Sequence, residues 1–133
     1  MSGENNLKIL LREMKPVVVD EEYVFCTIPE EQLKGLHKPL LVFREHEGLT
    51  VIVTKDIAVQ NGFSFFSTWG LISLSIHSDL EAVGFLAAIT EHLASAGISV
   101  NTVSAFYHDH LFVPYDKLDE AFSLLSELSK QHL

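Results

Sequence analysis

Hydrophobic positions along the chain follow two periods. Leu7, Leu10, Leu11 and Met14 are spaced as one helical face, and Pro16 ends that helix, since the residue before a proline is pushed out of the α region. Val17, Val18 and Val19 form a short β-branched run, and EYVFCTI (22–28) predicts a strand. PEEQLKGLHKP (29–39) is polar and broken by Gly35 and Pro39, which fits a loop or one short helix. LLVFRE (40–45) and LTVIVT (49–54) predict two strands joined by the turn HEG, with Gly48 available for positive φ. KDIAVQNG (55–62) predicts a short helix closed by Asn61 and Gly62. FSFFSTW (63–69) predicts a strand, which Gly70 separates from LISLSIH (71–77). There Ile72, Leu74 and Ile76 alternate with Ser73, Ser75 and His77, as in a half-buried strand.

The second half repeats the order. Ser78 and Glu81 form a capping-box pattern, and Ala82, Phe85, Leu86, Ile89 and Leu93 mark one face of a helix that starts at Asp79 and stops at Gly97. ISVNTVSAF (98–106) predicts a strand with polar interruptions at Asn101 and Thr102. His108, Asp109 and His110 predict a turn, where Asp suits turn geometry, and LFVP (111–114) a further strand. Asp116 is placed to cap a last helix whose buried face is Leu118, Ala121, Phe122, Leu125 and Leu128. Tyr23 to Trp69 therefore reads βαββαβ, and the stretch from Leu71 reads βαββα. The turns HEGL (46–49) and HDHL (108–111) stand at matching places. The expected fold is α+β, with the βαββαβ pattern repeated over 1–69 and 70–133. The second unit has no fourth strand of its own. The N-terminal helix and PVVV are expected to cover that open edge.

Composition changes the picture in a few places. An apolar content of 47% over 133 residues supports real cores and excludes a disordered chain. A net charge of −9 argues against phosphate backbones and anionic membrane surfaces as partners. Cys26, a single thiol in an apolar run, reads as a small core residue and excludes an internal disulfide. MSGENN carries neither a basic region nor an apolar core, and no run approaches the ~20 apolar residues of a membrane span. The expectation is a soluble cytoplasmic protein. For metal, strand alternation lets only His108 and His110 share a face, short of the three ligands a site needs. No nucleophile elbow, phosphate loop or paired catalytic carboxylates are present. No catalytic residue, metal or cofactor is expected.

The stretch SIHSDLEAVGFLAAITEHLASAGISVNTVSAFYHDHLFVP resembles an ACT domain, of the kind found in small bacterial proteins of unassigned function and in cytosolic arginine sensors. The residues carrying the likeness are Ser78, Leu80, Glu81, Ala82, Val83 and Gly84, then Gly97, Ile98, Ser99 and Asn101, then Tyr107, Asp109 and His110. FREHEGLTVIV resembles the preceding domain of those bacterial proteins. The resemblance implies two ACT-like units and a regulatory module, not an enzyme, that binds an amino acid. It implies ligand contacts from Ser78, Asp79, Glu81, Val83, Gly84, Asn101, Val103, Tyr107, Asp109 and His110. Physical chemistry supports that placement: a helix N-terminus suits a ligand carboxylate, and Asp109 suits an ammonium or guanidinium group. Ser78 and Glu81 also read as a purely structural cap, and Gly84 as a site of close helix–sheet packing. The first half has no glycine-containing helical start, so one chain holds an incomplete site. A homodimer or other even oligomer is expected, with output through a protein partner. A metal protein or enzyme using the histidine-rich hairpin, or a dimerisation module without ligand, are the alternatives.

Overall fold

The computed structural model describes residues 3, 6–77, 79 and 82–133; the capping-box pair Ser78 and Glu81 lies outside the described residues. In chain order the elements are α1 (Leu7–Glu13), β1 (Pro16–Ile28), a 3-10 helix over Glu30–Gly35, β2 (Leu41–Arg44), β3 (Leu49–Thr54), α2 (Lys55–Asn61), β4 (Trp69–Leu74), α3 (Phe85–Ser95), β5 (Asn101–Ser104), β6 (Asp109–Pro114), a 3-10 turn over Tyr115–Lys117 and α4 (Leu118–Lys130). They form two compact units. One is Glu21–Trp69; the other joins Met1–Asp20 to Gly70–Leu133. The division falls inside β1, whose first five residues belong to the larger unit and the rest to the smaller.

In the smaller unit the strand order is β2–β3–β1, antiparallel throughout, with Tyr23 opposite Thr54 and Leu41 opposite Ile52. Alternation puts Val24, Cys26 and Ile28 of β1 and Leu49, Val51 and Val53 of β3 on one face, where they form a core with Ala58 of α2. Burial pushes the Cys26 thiol up, so it stays protonated and acts as a small apolar side chain. Thr54 caps α2 by accepting from the Ile57 N–H at 3.3 Å, and Gly62 closes it in the left-handed region.

In the larger unit the order is β1–β4–β6–β5, so the start of β1 stands where the missing fourth strand would be. The Ser75 N–H donates to Met14 O at 2.8 Å and the Ser75 hydroxyl to Lys15 O at 2.8 Å, fixing the end of α1. Leu10, Leu11 and Met14 enter a core with Ile72, Leu74, Ile89, Leu93, Leu111, Val113, Ala121 and Leu125. Residues 7–19 are therefore part of the larger unit, and both units are α+β and ferredoxin-like. Among the described residues no helix is long and apolar enough to cross a membrane.

The structure corrects several local expectations. Residues 63–68 form no strand; Phe63 and Phe65 pack against the smaller core from a loop. Gly70 does not interrupt a strand but lies inside β4, where a Cβ would meet the Leu118 side chain at 2.8 Å. Gly48 is demanded by space, not by positive φ: a Cβ there would meet Thr27 Oγ1 at 2.8 Å. The strand expected at 98–106 is confined to Asn101–Ser104. The turn is not at His108–His110. It spans 105–108, closed by the Ala105 N–H donating to His108 O at 3.0 Å, and Asp109 begins β6. Asp116 lies in the 3-10 turn and does not cap α4, which has no side-chain cap.

Candidate functional site

Helix α3 starts later than the spacing suggests because of one residue. Gly84 adopts φ 88° and ψ −9°, a left-handed conformation that cannot continue into a right-handed helix, so α3 begins at Phe85. A Cβ on Gly84 would meet only Leu7 Cδ2, at 3.7 Å, an ordinary contact. Backbone conformation, not close helix–sheet packing, is what the glycine provides. Gly84 supplies no side-chain cap, and its carbonyl accepts the first helical bond, from Ala88 at 3.0 Å. The leading N–H groups of α3 therefore point out of the helix without intrahelical partners, at the positive end of its dipole.

Opposite that helix start stands Asp109, the only buried charged or polar residue among those described, at 6% exposure. Its place follows from the hairpin register. Ser104 faces Asp109 across β5 and β6, as Arg44 faces Leu49 across β2 and β3. The two hairpins are superimposable in pattern, and β3 and β6 share the same sequence of buried and half-buried positions. Asp109 thus occupies the position that Leu49, 2% exposed, fills in the smaller unit. Leu49 meets its own core; Asp109 meets a cavity of about 140 Å³ lined by Asp79, Gly84, Phe85, Leu86 and Ser104. A cavity of roughly 150 Å³ accommodates a molecule the size of benzene. Burying a carboxylate carries a desolvation cost that hydrogen-bonding or ionic partners must offset.

The structure gathers only part of the expected set. Asp79, Gly84 and Asp109 line the cavity. Ser78 and Glu81 lie outside the described residues. Val83 is 84% exposed in the loop before α3. Asn101 pairs with Phe112 and Val103 with His110, so both project from the face opposite Asp109. Asn101 and Asp109 do not share one cleft. Tyr107 is on the turn, 59% exposed, with its ring 5.6 Å from that of His77 and 4.9 Å from that of Phe106. His110 Nδ1 is 2.8 Å from Ser73 Oγ on the face away from the cavity. Its ring lies 6.4 Å from that of His108, and no group of three His, Cys, Asp or Glu among the described residues could hold a metal ion. Ser104, Phe85 and Leu86 were not expected. Only the hairpin register, with its turn at 105–108, brings Ser104 to Asp109, and only the delayed start of α3 brings Phe85 to the cavity.

Burial holds the His110 imidazole below its ordinary range, the charge of His108 lowers it further, and Asp109 partly offsets both. Because the folded protein resists this proton more than the unfolded chain does, the unfolded state gains it first as pH falls below about 6.5, the ordinary imidazole value. The His110 contribution to stability is therefore full above that value and lost as pH falls toward the lowered one. Thermal denaturation from neutral pH to about pH 5 should show a smaller fall in Tm for His110→Gln than for the wild type. An equal fall in both would remove His110 as the cause.

Comparison with known proteins follows the same lines. Two ACT domain profiles match the chain, over residues 2–69 and 67–127. A Vibrio cholerae protein of unknown function is 39% identical, with 92% of this chain and 95% of that one covered and a TM-score of 0.83. An Agrobacterium tumefaciens protein shares the fold at 17% identity, covering 86% and 87% of the two chains, with a TM-score of 0.67. The regulatory subunit of aspartate kinase from Thermus flavus shares it at 9% identity, covering 96% and 99%, with a TM-score of 0.63. No curated protein sequence matches the chain.

Proposed function

The chain belongs to the ACT domain family, and we propose that it is a non-catalytic sensor that binds an amino acid in the cavity between the start of α3 and the β5–β6 hairpin. ACT domains are regulatory, ligand-binding modules. The observation that carries the finer reading is Asp109: a carboxylate at a buried position whose counterpart in the other unit is leucine. A carboxylate set against the start of a helix gives the cavity two ends of opposite character. The N–H end suits the ligand carboxylate. Asp109, with Asp79 at the rim, suits its ammonium or another cationic group. The smaller unit has neither part, since its counterpart of α3 is a six-residue 3-10 helix and its counterpart of Asp109 is Leu49.

The presence of a full-length helix start in the larger unit alone, among the described residues, and outer strands β2 and β5 of four residues each favour pairing of chains as a homodimer or other even oligomer. Light scattering should return an even multiple of the 14.9 kDa chain mass; a monomer at high concentration would contradict this part of the reading. The ligand is to be found by thermal shift across the amino acids, since binding the native state alone raises Tm. Calorimetry with the amino acid so identified should then give Asp109→Asn an affinity about ten- to a hundredfold weaker, the loss of one charge-assisted hydrogen bond. Unchanged affinity would leave Asp109 outside the binding site. Zinc retained stoichiometrically after chelation would favour a metal protein instead.

A further inference from the structure

The smaller unit has a second concave surface, on the sheet face away from its core. Alternation turns Phe25 and Thr27 of β1 and Thr50 of β3 to that side, with Thr27 directly opposite Thr50. The loop after α2 adds Phe65, which also packs against the core, and Phe66, and Glu45 closes the rim. With Cys26 and Ser64 these residues line a groove of about 550 Å³. Phe66 is fully exposed, at 108%, an unusual cost for a phenyl ring that nothing in its own unit repays. Glu45 is the one charged residue on the groove. Its Oε1 accepts the Thr50 hydroxyl, which fixes the carboxylate at the rim. Arg44, its neighbour in sequence, is turned away: it stands opposite Leu49, and its Nη2 is bound to Glu30 at 2.8 Å. No positive charge opposes a cation in the groove.

We propose that this groove is a second ligand site, separate from the Asp109 cavity, and that it takes a small alkylammonium or alkylguanidinium compound. Phenyl faces attract a cation through the ring quadrupole. The carboxylate of Glu45 pairs with it, the hydroxyls of Thr27, Thr50 and Ser64 accept from its N–H groups, and its hydrocarbon part covers the exposed phenyl surface. Among the described residues its lining has no basic side chain, so no opposite charge there favours a carboxylate. That separates its ligand class from the zwitterion suited to the other unit. The net charge of −9 raises the local concentration of such cations.

The protein carries its own reporter. Trp69, its one tryptophan, lies edge-on to Phe25 with ring centroids 5.8 Å apart. Titration with butylguanidinium or butylammonium chloride should produce a saturable change in tryptophan fluorescence, weakened by added salt. Neutral butanol at the same concentrations should not reproduce it. Glu45→Gln and Phe66→Ala change exposed side chains and leave the fold intact. Each should weaken the response about two- to fivefold, the range of an exposed ion pair or cation–π contact. Asp109→Asn should leave the response unchanged. An equal response to butanol, or the absence of a saturable one, overturns the proposal. So does a response lost in Asp109→Asn and kept in Glu45→Gln, which assigns the cation to the other cavity. A fluorescence change that follows protein concentration, with a matching rise in mass, would show that the groove is an interface between copies of the chain.

Discussion

The pairing of Ser104 with Asp109 is the constraint on which the larger unit's chemistry depends. Side chains alternate along a strand, so the register of a hairpin decides which residues face the helices and which face away. With Ser104 opposite Asp109, the residues of β6 that turn inward are Asp109, Leu111 and Val113. A slip of one residue would send His110 and Phe112 inward and expel the carboxylate. Leu111 and Val113 lock this register by burying in the core, at 0% exposure each. The apolar part of the strand thereby holds a charged residue at a depth it would not otherwise occupy.

Gly84 completes the arrangement from the other side. Its left-handed backbone delays α3 and leaves the first turn facing the cavity without a side-chain cap. The two repeats have diverged around the same frame. In the smaller unit the hairpin begins with Leu49, the crossover is a short 3-10 helix, and the concave surface lies on the opposite face of the sheet, lined by phenylalanines. In the larger unit the polar cavity lies on the helix side.

Much of the fold was legible from periodicity. The faces of α1, α3 and α4, the strand Leu49–Thr54, and the capped helix closed by Gly62 follow from spacing, because burial enforces those patterns. The adoption of the N-terminal segment by the second unit followed from the missing fourth strand. The site was less legible. HEGL and HDHL match by letter, but the registers Arg44–Leu49 and Ser104–Asp109 place them two residues out of step, so His46 corresponds to Phe106 and not to His108. A shift of two preserves which face a residue takes, and so Asp109 still faces the helix side although the turn lies elsewhere. Asn101 was lost to parity: its partner is Phe112, on the other face. Phe63 and Phe65 have strand spacing but pack as a loop, since core contact satisfies them without a ladder.

The central claim is that Asp109 is kept for a ligand and not for the fold. At the counterpart position the smaller unit buries Leu49. Urea unfolding and amino-acid thermal shift on Asp109→Leu test this together. Replacing one member of a buried polar contact leaves its partner unsatisfied, at about 1–3 kcal/mol. The account predicts that Asp109→Leu loses no more than about 2 kcal/mol of stability, within the range for one orphaned partner, and loses its response to the amino acid that stabilises the wild type. A loss of about 3–5 kcal/mol, the cost of breaking a buried ionic arrangement, or a retained ligand response, would contradict it.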